Sequence, residues 1–408
     1  MTTTTNNEQK KLNVPNLRFK EFQGEWEEHL LGNISDVTKL AGFEFTKYVT
    51  YEDTGSIIAI RGLNCKNGSL DLRDVKYIDN SDFSKLSRSK LYVGDILYTY
   101  VGTVGEVAVV DKNDKYYLAP NVSRIRLSKD YNSDFIKQLL SSKKFYYKIV
   151  FPLIATSSQP ALSMENLRRF KLRVPSIKEQ KKIASLFNAI DERIATQNKI
   201  IEDLKKLKSA IIEEHYRQTE KNEVCVADLG NHFNVGNLAK DDLSETGKPC
   251  IIYGELFTTY GEVISQIESH TNKTEGMILS KKGDLLFPSS TTVDAVSLIA
   301  PSVINVDNVI LGGDMFGIHI SHNYNAQYLS YYFNHIAKKQ LAKFAKGSTI
   351  IHLHYTDIEK AKLLLPSLEE QNRMAKCLVA LDKKVSVEQN LLSSLTFQKS
   401  YLLQQMFI

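Results

Sequence analysis

Cysteine is scarce in this sequence: only 4 of its 408 residues are Cys, and no two of them form a CxxC pair. Sparse, widely separated thiols argue against a disulfide framework or a zinc cluster and are typical of a reducing compartment. We therefore expect a cytoplasmic protein without a structural metal. The cysteines are Cys65, Cys225, Cys250 and Cys377.

Long apolar runs are also missing. No stretch approaches the ~18–20 apolar residues that a membrane-spanning helix needs, so no membrane contact is expected. The first residues, MTTTTNNEQKK, have no apolar core. We expect a disordered tail over residues 1–14 rather than a signal peptide.

Motifs for nucleotide, cofactor or metal chemistry are absent from the sequence. There is no GxxxxGK[ST] phosphate loop, and no glycine-rich turn follows a strand-like run as a bound dinucleotide or methyl donor would require. His352 and His354 could be two metal ligands, but no third ligand stands at a suitable spacing, which favours an ordinary strand or loop position. The run PSIKEQKK resembles a nuclease carboxylate–lysine site but has no preceding aspartates. We expect no catalytic residue, metal or cofactor in this chain.

What the sequence does contain is an internal repeat. LRVPSIKEQKKIASLFNAIDERI around Pro175 matches LLLPSLEEQNRMAKCLVALDKKV around Pro366, at an offset of 191 residues. The match weakens upstream but persists, because Gly94-Asp95 resembles Gly283-Asp284. A length of 408 residues suits two or three domains at ~150 residues each. The chain therefore consists of two diverged copies of one long unit.

The better-matched part of each copy has a heptad pattern. Apolar residues step by four and three, which puts one apolar stripe on each of two long helices. We favour pairing of the two stripes over the alternative of two separate helices that each lie on their own domain. Polar residues interrupt both stripes at matching places, Gln197 with Glu388 and Lys208 with Lys399. Each helix follows Pro-Ser, with Glu179 or Glu370 at the capping-box position. The predicted pairing residues are Ile183, Phe187, Ile190, Ile194, Ile201, Leu204, Ile211, Met374, Leu378, Leu381, Val385, Leu392, Leu395 and Leu402.

The variable part of each copy is rich in short β-type runs. SIIAIRGL and DILYTYVG in the first copy correspond to CIIYGELF and DLLFPSS in the second, with turn residues at short intervals. An aromatic helix-like stretch follows, DFIKQLLSSKKFYYKIV or AQYLSYYFNHIAKKQLAKF. The pattern predicts an α+β domain before each long helix.

Positive charge is concentrated in one segment. Residues 137–182 contain eleven Lys or Arg and two Glu, whereas the whole chain has a net charge of only +5. Basic residues between aromatic ones suit a phosphate backbone, although a solvated helix face would have the same composition. The candidates for phosphate contact are Lys143, Lys144, Arg168, Arg169, Lys171 and Arg173.

Together, these features resemble the specificity subunit of type I restriction–modification systems. The resemblance rests on the opening VPNLRFKEFQGEWEEHLLGNI, on the Pro-x-x-x-Glu-Gln entry to both helices and on the tandem layout. It covers nearly the whole chain from about Val14. It implies two α+β target-recognition domains, residues 15–174 and 219–365, separated by helical regions 175–218 and 366–408 that pair as an antiparallel coiled coil with approximate two-fold symmetry.

The family's subunit has no catalytic activity, and the resemblance implies that its partners supply the chemistry. Those partners are double-stranded DNA, modification (methyltransferase) subunits that bind S-adenosylmethionine, and restriction or translocase subunits that use ATP and Mg. Each recognition domain would read one half of a bipartite DNA target, and the helices would set the spacer between the halves.

Reading bases requires side chains with donors and acceptors on loops that can enter a groove. The candidates in the second domain come from a weak alignment of the repeats. The full set is Arg61, Lys66, Tyr98, Tyr100, Thr103, Ser158 and Gln159 in the first domain, and Tyr253, Ser289, Ser290, Thr291, Lys346, Ser348 and His352 in the second.

Two other functions stay open at this point. The chain could be a coiled-coil protein-interaction adaptor whose α+β domains bind proteins instead of specific DNA. It could also be a self-contained nuclease or methyltransferase, but that would require cofactor motifs that the sequence lacks.

Overall fold

The computed structural model describes residues 13–66, 68–154 and 159–408. They form two compact units: unit 1 comprises the described residues up to Gln197 together with Leu391–Ile408, and unit 2 comprises Asn198–Asn390. The predicted tail lies outside the described residues except for its last two. No helix of the described ranges is long and apolar enough to cross a membrane.

Two long helices dominate the secondary structure. Both begin two residues after the predicted helical regions, directly after Pro-Ser, and the other helices have ten residues or fewer. The helices are α1 Leu31–Ile34, α2 Gly42–Tyr48, α3 Ser133–Ser141, α4 Lys143–Phe145, α5 Met164–Arg168, α6 Ile177–Gln218, α7 Glu255–Thr258, α8 Ala295–Leu298, α9 Ala326–His335, α10 Lys338–Leu341, α11 Tyr355–Ile358 and α12 Leu368–Met406.

The strands of unit 1 form a four-stranded antiparallel sheet, β2-β10-β7-β8, a three-stranded sheet, β6-β3-β9, and the pairs β1-β11 and β4-β5. These strands are β1 Glu27–Leu30, β2 Ser35–Lys39, β3 Ile58–Ile60, β4 Cys65–Lys66, β5 Ser69–Leu70, β6 Lys76–Tyr77, β7 Ile96–Thr99, β8 Val107–Val109, β9 Tyr116–Leu118, β10 Val122–Leu127 and β11 Lys171–Val174.

Unit 2 has two five-stranded sheets, β13-β23-β19-β21-β16 and β14-β17-β15-β22-β18, and the pairs β12-β25 and β20-β24. Its strands are β12 Asn222–Cys225, β13 Gly230–Asn234, β14 Leu243–Ser244, β15 Lys248–Ile252, β16 Val263–Ile264, β17 Ser269–Thr271, β18 Ile278–Leu279, β19 Asp284–Pro288, β20 Ser290–Thr291, β21 Ser302–Ile304, β22 Ile310–Gly312, β23 Met315–Ile320, β24 Ile351–His352 and β25 Lys362–Leu365.

The same sheets recur in both units. The pair β1-β11 corresponds to β12-β25, the order β2-β10-β7-β8 corresponds to β13-β23-β19-β21, and the parallel pair β3-β9 corresponds to β15-β22. The central strands β7 and β19 are buried along their whole length, as their unbroken apolar runs require. The predicted α+β fold, repeated in tandem, is confirmed.

All fourteen predicted pairing residues are buried or half-buried. The two helices run antiparallel within each unit. In unit 1, Asp191 of α6 contacts Lys399 of α12, whereas Phe187 contacts Phe407, just beyond the end of α12. In unit 2, Lys208 contacts Asp382, whereas His215 contacts Glu370. Residue numbers therefore rise along one helix where they fall along the other, as an antiparallel pair requires.

Each helix pair contains a lysine–aspartate ion pair, and these two ion pairs are repeat equivalents. The Lys399 ammonium lies 2.6 Å from Asp191, and the Lys208 ammonium lies 2.8 Å from Asp382. In both units the neighbouring domain helix also donates to this carboxylate: the Gln138 amide at 2.8 Å from Asp191 and the Tyr331 hydroxyl at 2.5 Å from Asp382. Lys208 and Lys399, two of the polar residues that interrupt the apolar stripes, thus make specific contacts between the helices.

Lys208 has a second buried partner. Both carboxylate oxygens of Glu262 accept from its ammonium at 3.0 Å, and His335 contacts the same carboxylate at 3.0 Å. Burial raises the pKa of Glu262, but the hydrogen bond from His335 and the charge of Lys208 outweigh it and lower that pKa to about 2. The same carboxylates raise the pKa of Lys208 against the opposing effect of burial.

The Pro-x-x-x-Glu-Gln motif joins each long helix to its own domain. The buried Gln180 amide donates to Pro175 O at 2.8 Å and accepts from the Asn132 N–H at 2.9 Å; Gln371 repeats both contacts with Pro366 and Asn325. Ser176 and Ser367 cap the helices through their hydroxyls.

The predicted capping-box role of the glutamates is wrong, because their side chains have other partners. The Glu179 carboxylate accepts two hydrogen bonds from Arg18, at 2.8 and 2.7 Å, and the Glu370 carboxylate contacts His215 at 3.0 Å and Arg373 at 2.6 Å. A charged side chain at a buried helix start is tolerated when an oppositely charged group pairs with it.

We expect Lys208→Met to lower the free energy of unfolding by about 3–5 kcal/mol, because it leaves the carboxylates of Glu262 and Asp382 buried without a counter-charge. The measurement is the denaturant midpoint followed by circular dichroism. The control is Lys206→Met, two residues away on the exposed side of the helix, where the ammonium pairs with exposed Glu202. Loss of this solvent-screened pair should change stability little. Equal midpoints for the two variants would contradict the assignment.

The depressed pKa of Glu262 predicts a specific dependence of stability on pH. A carboxyl that titrates near 4.5 when unfolded and at about 2 when folded stabilises the fold above pH 4.5, and this stabilisation is lost as the pH falls from 4.5 towards 2. We expect Glu262→Gln to be less stable than the parent at pH 7, with a difference that shrinks over this interval. Denaturant midpoints measured from pH 7 down to the acid transition test this, and a difference that does not change with pH would refute it.

Candidate nucleic-acid interface

A cleft of about 350 Å³ opens in unit 1 where the central strand β7 ends. Three of the predicted base-reading residues, Arg61, Thr103 and Gln159, lie on its wall. The structure therefore brings together residues that are separated by up to 98 positions in the sequence. The complete lining is Tyr51, Arg61, Gly62, Leu63, Thr99, Val101, Gly102, Thr103, Pro120, Asn121 and Gln159.

Arg61 is held in the cleft by contacts to its own loop. One guanidinium nitrogen donates to Asp74, to the carbonyl at 2.9 Å and to the carboxylate at 2.8 Å, while Asn64 Oδ1 accepts from the Arg61 N–H at 3.0 Å. Its Nε is buried and has no hydrogen-bond partner among the described residues. Burial raises the pKa of Tyr51 on the same wall, against the charge of Arg61. The cleft thus combines a fixed cation with amide and hydroxyl groups.

The turn after β7 shapes the rim of the cleft. Gly102 and Gly105 both have positive φ, +78° and +101°, which L side chains rarely adopt. A Cβ on Gly105 would also lie 2.8 Å from the ring of Tyr146, so glycine is required there on both grounds. The Thr99 hydroxyl donates to Thr103 O and closes the turn.

The corresponding place in unit 2 has the same backbone frame. The Leu353 N–H donates to Ser289 O at 2.9 Å, as the Leu162 N–H does to Tyr100 O at 2.8 Å in unit 1. Ser290 then pairs with His352, as Val101 pairs with Ala161. The end of the central strand and the segment before a short helix therefore meet in both units.

In unit 2 this frame carries a hairpin that contains several predicted residues. Lys346 and His352 exchange backbone hydrogen bonds at 2.9 and 2.7 Å, and Ser348 is exposed at the tip between them. The Lys346 ammonium lies 2.5 Å from Asp357, and the His352 ring stacks at 6.1 Å on His354. Thr291 lies opposite Ile351 on the paired strand. Hence Thr291, Lys346, Ser348 and His352 form one cluster.

Four of the predicted base readers have side chains that the fold buries, which argues against contact with bases. Tyr98 belongs to the core, where its ring packs edge-on to Phe170 at 5.9 Å, and burial raises its pKa. Tyr100, Ser289 and Ser290 are 9%, 4% and 7% exposed. Side chains this buried have no open path to a DNA groove in the folded unit.

The remaining base-reading candidates stay predictions. Lys66 is exposed on β4, 3.8 Å from Asp71, and does not line the cleft. Tyr253 is 36% exposed beside Gly313. Ser158 lies outside the described residues.

Most of the predicted phosphate contacts already have partners within unit 1. Arg169 lies 2.5 Å from Glu165, Lys171 and Arg173 flank Glu28 at 3.1 and 3.5 Å, Arg168 donates to Val37 O at 2.7 Å, and Lys144 donates to Phe407 O at 3.1 Å. Of the six side chains, only that of Lys143 has neither an ion pair nor a hydrogen bond within the described ranges. The segment's excess of positive charge is therefore partly neutralised by acidic residues from elsewhere in the sequence.

Sequence reasoning missed Tyr51 and Asn121 as cleft residues. Asn121 has a positive φ of 73° in the turn between β9 and β10, and the Pro120-Asn121 pair was a usable turn signal. Tyr51 lies in irregular chain, where no pattern indicates which way a side chain points.

Comparison with protein families finds one match that covers most of the chain. The model of the type I restriction modification DNA specificity domain matches twice, over residues 23–206 and 219–396. The two matches coincide with the two copies of the repeat.

Individual relatives agree with this match. A protein of Methanocaldococcus jannaschii assigned as the type I restriction enzyme MjaX specificity subunit is 22% identical over 413 residues, which cover 93% of this chain and 92% of that protein. The EcoKI specificity subunit of Escherichia coli K12 is 24% identical over 169 residues, 39% of this chain and 36% of that protein.

Solved structures share the fold. The S subunit of a type I restriction–modification system from M. genitalium superposes with a TM-score of 0.62 at 16% identity, covering 97% of this chain and 99% of that one. A chain solved in work on complex assembly and conformational transition of the type I system gives 0.55 at 15% identity, with 94% and 97% covered.

Proposed function

This chain belongs to the type I restriction–modification DNA specificity family, and from that premise we propose that each unit reads one half of a bipartite DNA target. Unit 1 would read its half-site with the cleft at the end of β7, and unit 2 with the hairpin from Lys346 to His352. Because the side chains at these two places differ, the half-sites should differ in sequence.

The observation that carries this proposal is the repeated backbone frame beneath two different sets of side chains. In unit 1 the frame presents Arg61, Thr103, Asn121 and Gln159. An arginine suits the acceptor pair of guanine in the major groove, and Asn or Gln suits adenine. In unit 2 the frame presents hydroxyl, imidazole and ammonium groups. Two unrelated half-sites can be read when the same backbone frame carries different polar side chains.

The long helices would set the spacer between the half-sites. The two ion pairs are 17 residues apart on both helices, from Asp191 to Lys208 and from Asp382 to Lys399. Equal separations allow both pairs to form at once in straight antiparallel helices. Half-sites one DNA turn apart, ~34 Å, are within the ~60 Å length of such a helix.

Chemistry would reside in partner subunits. Modification subunits would bind S-adenosylmethionine and methylate adenine, and restriction or translocase subunits would use ATP and Mg. This chain would contribute recognition of DNA and a surface for those subunits. The adaptor alternative is not favoured, because an adaptor has no need of two polar clusters on an identical frame.

The direct test is the methylome of cells that express this chain with its methyltransferase partner. A bipartite motif with a fixed spacer supports the proposal. Absence of any motif, together with equal gel-shift affinity of the complex for random duplexes, contradicts it.

We expect Arg61→Ala to reduce sequence discrimination at one base pair of a single half-site. Loss of one bidentate arginine contact should reduce discrimination there by about 5- to 150-fold, the equivalent of ~1–3 kcal/mol. The methylome measures both half-sites at once, so the half-site of unit 2 is an internal control for folding. The matched variant is Arg73→Ala, whose side chain is 86% exposed, pairs with Asp71 and lies outside the cleft. Relaxation by both variants, or by neither, would count against the role of Arg61.

Four helix-forming residues inserted after both Gln197 and Asn390 should lengthen the spacer by roughly two base pairs, since four residues add about 6 Å of helix and each base pair spans about 3.4 Å. The paired insertion keeps equal separations between the ion pairs. An insertion after Gln197 alone makes the separations 21 and 17, so one ion pair must break, and we expect lower stability and no defined spacer. A paired insertion that retains the parent spacer would disprove the spacer role.

A further inference from the structure

We propose that Tyr147 and Phe151, with Tyr146 beside them, form a surface in unit 1 on which a nucleobase displaced from the DNA stack packs. The inference rests on the proposed function, because it assigns a second kind of contact to the same DNA. The ligand class is an unstacked base with its adjoining phosphates.

Three aromatic rings meet at this surface, and two of them face solvent. The centroid distances are 5.4 Å for Tyr146–Tyr147, 6.3 Å for Tyr147–Phe151 and 6.4 Å for Tyr146–Phe151. Tyr147 is 65% exposed and Phe151 is 60% exposed. Two neighbouring aromatic rings left this open are costly unless something covers them.

The backbone beneath the rings has an uncommon conformation. Tyr146–Val150 is a π-helical turn, in which the Phe151 N–H donates to Tyr146 O, and a 3₁₀ turn, Phe151–Leu153, follows. Single π turns are rare and recur at functional sites. Here the turn brings Tyr146 and Phe151 together.

The rings adjoin the candidate base-reading cleft. The Tyr146 ring fills the space beside Gly105, in the same turn whose Thr103 lines the cleft. A base that leaves the stack at the cleft would therefore meet the aromatic surface next.

Charge favours DNA over an apolar protein partner. Lys143 and Lys148 are exposed on either side of the aromatic residues, and the described residues provide no ion pair for either ammonium. The sequence has no Asp or Glu from residue 135 to residue 164. Aromatic faces flanked by unpaired cations are the combination that proteins use to bind unstacked nucleic acid.

Unit 2 lacks this surface. Its equivalent of the 3₁₀ turn is Ala342–Phe344, where the buried Ala342 stands in place of Phe151. The preceding helix begins with Lys338-Lys339, as α4 begins with Lys143-Lys144, but no paired tyrosines follow it in unit 2. The inference therefore concerns the half-site of unit 1 only.

A surface that holds a displaced base would assist the methylation expected of the complex. A methyltransferase must extrude its target base from the duplex, which costs a few kcal/mol of stacking and pairing. Stacking of a displaced base on an aromatic ring is worth about 1–3 kcal/mol. An aromatic surface at the reading cleft would offset part of that cost.

The test is a double-mutant cycle between aromatic rings and bases. The complex of the full chain with its methyltransferase subunits is titrated with duplexes that contain the methylome-defined target, each with one abasic position in or beside the half-site of unit 1. The variant is Tyr147→Ala/Phe151→Ala, and the control Tyr147→Phe/Phe151→Tyr keeps both rings. Both positions are mostly exposed, so folding should be unaffected, and thermal midpoints verify this.

We expect the alanine variant to bind the intact target about tenfold more weakly, while the control stays within about twofold. On the duplex whose missing base is the stacking partner, the alanine variant should lose nothing further. An equal loss on every abasic duplex, no loss on the intact target, or loss of subunit assembly with unchanged DNA affinity would overturn the inference. If the parent complex does not prefer its target over a scrambled duplex, the proposed function fails instead.

Discussion

The structure depends on placing charged side chains inside an apolar helix pair. Lys208 with Asp382, and Lys399 with Asp191, are each enclosed between the stripes of α6 and α12. A charge that is largely removed from water is costly when unpaired, so the register that satisfies both ion pairs is favoured. Apolar residues alone would tolerate a slip by one heptad; the ion pairs do not.

That register determines how each core is completed. In unit 1, Met406 and Phe407 from the end of the second repeat pack with Phe187 and Trp26. In unit 2, Ile212 from the end of the first repeat packs in the core with Met374 and Leu378. Each α+β unit is thus closed by a helix segment that begins in the other unit. The reading surfaces lie on frames made of backbone hydrogen bonds, which do not depend on side-chain identity, so their tips can vary while the helices cannot.

The helices could be predicted from the sequence because their signal is local and periodic. A heptad pattern of apolar residues indicates which helix face is buried, and all fourteen predicted residues are buried or half-buried. The site could be predicted only in part. The burial of Tyr98 and Tyr100 could not be predicted, because an apolar run gives no alternation from which to tell the buried face from the exposed one. Glu179 was misassigned because its partner, Arg18, lies 161 residues away. Arg61 and Gln159 share a cleft through tertiary packing that no spacing in the sequence records.

Contacts between residues that are distant in the sequence also explain how the charge of the basic segment changes on folding. The segment from residue 137 to residue 182 is strongly basic on its own. In the folded unit, Glu28 neutralises Lys171 and Arg173, Asp191 lies near Lys137, and Glu21 pairs with Lys182. Non-specific DNA affinity rises with the number of phosphates that free cations neutralise, so internal pairing limits it. A subunit that discriminates between sequences gains from this limit, because affinity for random DNA competes with the target. In the proposed function, selectivity would rest on the few polar groups of the cleft and the hairpin, whereas the overall hold on DNA would come from the assembled complex.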